Sequence, residues 1–137
     1  MPDQILIADD YDDSRELLRM MLEPEGYRIR EARDGRECLE AARREPPSLA
    51  IIDLSMPRLD GWGVIRELRA DEQTRHLPCV LLTAFTSHED RSRALAEGFD
   101  AYLAKPFRTR DLLELVRRLL AERIHVSPDG QRASTTK

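Results

Sequence analysis

Cysteine is scarce: Cys38 and Cys79 are the only two in 137 residues. They supply neither a disulfide framework nor a metal-ligand spacing, and each lies among apolar neighbours, the setting of a buried thiol. Histidine is equally thin. His76, His88 and His125 are scattered without ligand spacing, so a zinc centre is not indicated. No apolar run approaches the roughly 18 residues needed to cross a bilayer, which excludes a membrane-spanning helix. Nor is there an excess of basic charge. Lys and Arg number 22 against 26 Asp and Glu, giving a net charge of −4 and a pI near 5.4. That balance argues against a broad cationic surface, so neither direct nucleic-acid binding nor membrane insertion is expected. Met1-Pro2-Asp3-Gln4 carries no basic n-region or small-residue cleavage site, and the reading places the protein in the cytoplasm. Internal repeats are lacking too. The Gly61-x-Gly63 pair misses the third glycine of a dinucleotide loop, Arg66 standing in its place.

What the chain does have is alternation, over a length that suits one domain. Short β-rich apolar segments alternate with stretches of helical period, as in βαβ units built around a parallel sheet. Strands are expected at Ile5 to Ala8, Arg28 to Ala32, Leu49 to Ile52, Cys79 to Leu82 and Ala101 to Ala104. The third and fourth are continuously apolar, as strands covered on both faces are; the second is polar enough for a place near the sheet edge. Helices follow from apolar spacings of three and four: Leu18, Met21 and Leu22; Leu39 and Ala42; Val64, Ile65 and Leu68; Leu95 and Phe99. A last helix carries Leu112, Leu115, Val116 and Leu119, with Thr109 as its N-cap. Gly26, Gly35, Pro46-Pro47, Pro78 and Gly98 punctuate the transitions, and Pro24 should end or kink the first helix. The periodic pattern stops at Glu122, so a domain over 1–122 and a flexible tail over 123–137 are expected.

In an open parallel sheet the functional crevice lies beyond the C-terminal ends of the strands. Asp9 and Asp10 follow the first strand, Asp53 the third, Thr83 and Ala84 the fourth, and Lys105-Pro106 the fifth. Three carboxylates, a hydroxyl and an ammonium would then share one rim. Carboxylates so close repel one another unless a cation joins them, and an all-oxygen set suits Mg2+. Such a site can pass a phosphoryl group to a carboxylate, with Asp53, at the end of a central buried strand, as nucleophile. Lys105 and the metal would neutralise the transferred oxygens and Thr83 would bond one of them. Taken singly, each residue has a plainer role: Asp9 and Asp10 as helix caps, although Asp12, Asp13 and Ser14 are at hand for that, and Asp53 and Lys105 as turn residues. Their common edge is what favours chemistry.

The motifs Ile7-Ala8-Asp9-Asp10, Ile51-Ile52-Asp53-Leu54-Ser55-Met56-Pro57, Asp60-Gly61, Leu82-Thr83-Ala84 and Lys105-Pro106-Phe107 resemble, in order and spacing, those of the receiver domain of two-component response regulators. The resemblance covers residues 4–122. It implies a flavodoxin-like, CheY-like α/β three-layer sandwich, with a five-stranded parallel sheet in the order 2-1-3-4-5 and five helices. It further implies a signalling switch rather than a turnover enzyme: Asp53 is the phosphoacceptor, served by a sensor histidine kinase or phosphotransfer protein. Asp9, Asp10, Asp53 and the Ser55 carbonyl would organise Mg2+, while Thr83 and Lys105 would contact the phosphoryl oxygens. Tyr102 holds the place of the switch aromatic, a cis Lys105-Pro106 peptide is implied by analogy, and a downstream protein would read the face of helix four, strand five and helix five.

Phe85, a bulky ring two residues after Thr83, is expected to shield an acyl phosphate from water. Ser55 occupies a position that varies in the family and leaves the phosphorylated lifetime open. Trp62 is expected to pack on the third helix or to offer a contact surface. Two other readings compete: a phosphorylation-independent interaction module of the same fold, disfavoured because every site residue type is present, and a small dehalogenase-like enzyme, for which no cap domain or second acid two residues after Asp53 is available.

Overall fold

The computed structural model describes residues 2–84 and 87–123. Five strands, β1 (Gln4–Ala8), β2 (Arg28–Ala32), β3 (Leu49–Asp53), β4 (Cys79–Thr83) and β5 (Ala101–Ala104), alternate with helices α1 (Asp12–Leu22), α2 (Gly35–Arg44), α3 (Gly61–Ala70), α4 (His88–Glu97) and α5 (Thr109–Arg123). The strands pair in parallel in the order β2-β1-β3-β4-β5. This is the expected doubly wound sheet.

Strand periodicity divides the core in two. Ile5 and Ile7 of β1, Leu49 and Ile51 of β3, and Val80 and Leu82 of β4 pack with Leu18 and Leu22 of α1 and with Leu112 and Val116 of α5. Leu6, Ile52, Leu81 and their neighbours pack on the opposite face against Cys38 and Leu39 of α2, Ile65 and Leu68 of α3, and Ala94 of α4. An apolar run such as Leu49-Ala50-Ile51-Ile52 is therefore needed because both faces are covered. β3 and β4 are buried along their whole length, whereas β2 exposes Arg28 and Glu31 at the sheet edge. Each fully buried Leu or Ile adds about 1.5–3 kcal/mol by leaving water.

Register sets the site. Ala8 lies beside Ile52 and Ala32, so Asp9 and Asp53 leave neighbouring strands at the same level. Thr83 pairs with Ala104, and Lys105 N donates to Thr83 O at 2.9 Å. The loop after β3 is fixed by Asp60, whose side chain accepts from Gly63 N at 2.9 Å and caps α3, and by Gly61 N donating to Leu54 O at 2.8 Å. A side chain at Gly35 would bring its Cβ within 2.0 Å of Leu59 O, so α2 can seat against this loop only with glycine there.

Several local expectations change. Gly35 opens α2 behind the N-cap Asp34 rather than ending an element. Thr109 is the first helical residue of α5, with Leu112 N bonded to Arg108 O, so the helix begins one position early. Leu95 is 56% exposed. α4 buries the small Ala94 instead and stops at Gly98, whose φ of +117° suits glycine, after which Phe99 turns into the core from the loop. α1 ends at Leu22, and Pro24 lies in a single 3-10 turn over Glu23–Glu25 closed by Gly26 at φ +96°. α5 continues to Arg123, one residue past the expected boundary. The expectations for Phe85, His125 and the tail beyond Arg123 lie outside the described residues.

Candidate functional site

Asp9, Asp10, Asp53, Thr83 and Lys105 converge at the C-terminal edge of the sheet. Carboxylate oxygens of Asp9, Asp10 and Asp53 all lie within 4.8 Å of one another. Lys105, 52 residues from Asp53 along the chain, places Nζ 2.8 Å from Asp53 Oδ1 and 3.6 Å from Asp9 Oδ2. Asp10, Asp53, Ser55, Thr83 and Lys105 line one hollow of about 720 Å³, with Trp62 on its wall. Ser55 is exposed on the rim, while Asp9, Asp53 and Thr83 are buried. Helix capping does not account for the acid pair. The N-cap of α1 is Tyr11 with no side-chain cap, and Asp12 and Asp13 supply the negative charge of the first turn.

Asp9 is tied down on three of its polar groups. Its N–H donates to Ala32 O at 3.1 Å, its carbonyl accepts from Arg15 Nη1 at 2.8 Å, and Oδ1 accepts from Tyr11 N at 2.9 Å. Its Oδ2 and Asp10 Oδ1 are buried with no hydrogen-bond partner among the described residues. Buried carboxylate oxygens without donors are costly. Three oxygen donors gathered this closely fit a hard divalent cation, which would satisfy both orphaned atoms.

The charges are out of balance. Burial pushes the Asp53 carboxyl above the ordinary carboxylate range; Lys105 pulls it back by its hydrogen bond and charge, and Asp9 and Asp10 push it further up. For Lys105, burial disfavours the ammonium, but the hydrogen bond to Asp53 and the charges of Asp53 and Asp9 outweigh it and hold the group above an ordinary lysine. Lys105 thus pairs with two of the three clustered carboxylates, Asp53 and Asp9.

The residues 5–117 match the family model of the response regulator receiver domain. The chain belongs to that family. It is 40% identical over 136 residues to the response regulator MprA of Mycolicibacterium vanbaalenii, covering 99% of this chain but 58% of MprA. Among solved structures it resembles a response regulator from Chloroflexus aurantiacus, with TM-score 0.84 and 33% identity over 88% of this chain and 99% of that one. It also resembles the receiver domain of the sensor histidine kinase PA1611 from Pseudomonas aeruginosa, whose structure has a magnesium ion coordinated in the active-site cleft (TM-score 0.82, 32% identity, 88% and 99% coverage). The chain is thus a receiver domain of two-component signalling, with the flavodoxin-like fold of these neighbours.

Tyr102 of this receiver domain stands outside the hollow. It is half-buried, its hydroxyl lacks a partner among the described residues, and the Arg91 guanidinium sits 5.7 Å from its ring centroid. The Lys105-Pro106 peptide is cis, as the resemblance implied. Trp62 belongs to α3 and packs inward from it, edge-on to Phe99 at 6.1 Å and beneath the Arg93 guanidinium at 4.2 Å. Helical spacing does not reveal this aromatic pair, although Phe99 directly after a helix-ending glycine is a visible signal. Arg15, 6% exposed, is a second residue absent from the sites expected from sequence. Arg15 shares the buried face of α1 with Leu18 and Leu22, at spacings of three and four, and a charge on an apolar stripe marks a buried partner. Among the described residues no helix is long and apolar enough to cross a membrane.

Proposed function

We propose that Asp53 is a phosphoacceptor that takes a phosphoryl group from a phosphohistidine of a sensor histidine kinase or phosphotransfer protein. The observation that carries this reading is Lys105 Nζ, 2.8 Å from Asp53 Oδ1 and flanked by Asp9, on a rim where the Asp10 carboxylate joins them. In the transfer, an Asp53 oxygen forms the new O–P bond as the donor's P–N bond breaks, and the departing imidazole keeps the electron pair and takes up a proton. Asp53 is held by its strand at the centre of the rim, so little reorganisation is needed. Lys105 stabilises charge on the transferred oxygens, and the Thr83 hydroxyl donates to one of them. Asp9, Asp10, Asp53 and the Ser55 carbonyl would hold Mg2+, which when bound would supply charge neutralisation of the three carboxylates and the incoming phosphoryl group.

The domain is a switch, catalysing only its own phosphorylation and dephosphorylation. Thr83 moves toward the phosphoryl group, Tyr102 turns inward, and the face of α4, β5 and α5 shifts between two pre-existing arrangements that a downstream protein partner distinguishes. The Tyr102 hydroxyl, buried without a hydrogen-bond partner among the described residues, supports a side chain that no hydrogen bond from them holds in place. The test is incubation with Mg2+ and a small phosphodonor, followed by intact mass. The wild type is expected to gain the mass of one phosphoryl group and Asp53→Asn none; an unmodified wild type, or equal gain in both, refutes the reading.

A further inference from the structure

We infer that Arg15 is a positioning residue for the metal-binding acid pair, acting on it from behind through the backbone. The inference rests on the proposed Mg2+ site and adds a residue to it. Arg15 lies one turn into α1, yet its guanidinium is withdrawn from solvent and directed at the end of β1. There Nη1 donates to the Asp9 carbonyl oxygen at 2.8 Å, a buried bond. That carbonyl belongs to the peptide plane whose nitrogen is Asp10 N, so one hydrogen bond orients the link between the two acids. The same guanidinium donates through Nε to Glu31 Oε1 at 2.8 Å and through Nη2 to Asp12 Oδ1. Glu31 lies on β2, so the fork spans α1, the β1 exit and the edge strand.

The remaining polar groups of Asp9 show why this matters. Its N–H and Oδ1 are taken by Ala32 O and Tyr11 N, leaving Oδ2 without a hydrogen bond among the described residues and in an ion pair with Lys105 at 3.6 Å. With the Arg15 bond added, Oδ2 is the one polar atom of Asp9 without a hydrogen bond among the described residues. Three mutually repelling carboxylates would otherwise spread apart before a cation arrives. A planar, permanently charged fork can hold a carbonyl and a carboxylate at once, which the single ammonium of lysine cannot do in the same geometry. Outer partners that orient metal ligands typically change affinity by about 10–100-fold when removed.

Mg2+ affinity can be read from the fluorescence of Trp62, the one tryptophan of the chain, which lines the same hollow as Asp10 and Asp53. Arg15→Met is expected to weaken Mg2+ binding at least about tenfold, with Arg15→Lys and Glu31→Gln weakening it by a smaller factor. Arg19→Met is the control, because Arg19 shares Glu31 and also meets Glu23 but does not touch Asp9. It should leave Mg2+ affinity within about twofold, even where it lowers thermal stability as much as Glu31→Gln does. If Arg15→Met fails to fold, Arg15→Lys and Glu31→Gln carry the comparison. Wild-type affinity in the folded Arg15 variants, or an equal loss in Arg19→Met, overturns the positioning role alone. A wild type that does not bind Mg2+, or an Asp53→Asn variant that binds it equally, overturns the site reading beneath it.

Discussion

Replacing Asp53 by Asn should make the metal-free protein more stable. The Asp53 carboxylate is 5% exposed and has two like charges with oxygens no farther than 4.8 Å. At an effective dielectric near 20, each of those repulsions is worth about 3.5 kcal/mol or more. The attraction to Lys105 at 2.8 Å comes to about 6 kcal/mol on the same scale, so it nearly offsets the pair of repulsions and leaves the desolvation of the carboxylate uncompensated. Asparagine removes the charge while its Oδ1 can still accept from Lys105. A gain of about 1–2 kcal/mol is expected, or roughly 3–8 °C in Tm. Because burial and the neighbouring acids raise the folded-state pKa of Asp53, the native state holds this proton more tightly than the unfolded chain does. The ionised group's penalty is therefore fully present above the raised folded value and vanishes below the unfolded one, so the advantage of Asn should shrink as pH falls through that window. Thermal unfolding in EDTA across a pH series reads this directly. Mg2+ should then reverse the order, because saturating ligand at about 100 times Kd adds about 2.7 kcal/mol to the wild type only. An Asn variant that is less stable in EDTA, or that gains as much from Mg2+ as the wild type, refutes the charge imbalance.

Lys105→Met removes the cation that pairs with both Asp53 and Asp9. In EDTA it should cost about 2–3 kcal/mol by urea unfolding, discounted from a fully buried pair because the side chain is partly exposed, and Mg2+ should restore much of the loss. Arg58 sits at φ +71° in the loop after β3, its exposed guanidinium 3.7 Å from the half-buried Asp34 carboxylate. Arg58→Gly should therefore raise stability by about 0.5–1 kcal/mol in the same assay, since the backbone strain relieved exceeds a surface ion pair. Burial pushes the thiols of Cys38 and Cys79 up to about 12. Both should ignore a thiol reagent in the native protein and react fully in denaturant; rapid native labelling of either would contradict their burial in the core on the α2, α3 and α4 side of the sheet.

The sheet was legible because burial on both faces writes itself as unbroken apolar runs at Leu49–Ile52 and Cys79–Leu82, and because residues that follow parallel strands share one edge. Asp9, Asp10, Asp53, Thr83 and Lys105 are accordingly found together where their positions after strands placed them. The misses have a common cause. Leu95 and Phe99 have helical spacing, but the glycine between them ends the helix, so one faces water and the other the core. Tyr11 rather than a nearby Asp or Ser caps α1, because Asp9 Oδ1 takes the Tyr11 N–H and fixes where the chain turns. Arg15 was hidden by its charge: an apolar count passes over it, although it occupies the buried stripe. Local pattern identifies elements, whereas these choices are made by partners distant in sequence.

The central claim is that the reacting atom is a carboxylate oxygen of Asp53. Its most direct test is to phosphorylate the protein in Mg2+, reduce the acyl phosphate with borohydride, and map the product by peptide sequencing. The expected result is homoserine at position 53 and at no other aspartate. Reduction at Asp9 or Asp10, or label on a residue outside the hollow, would contradict it.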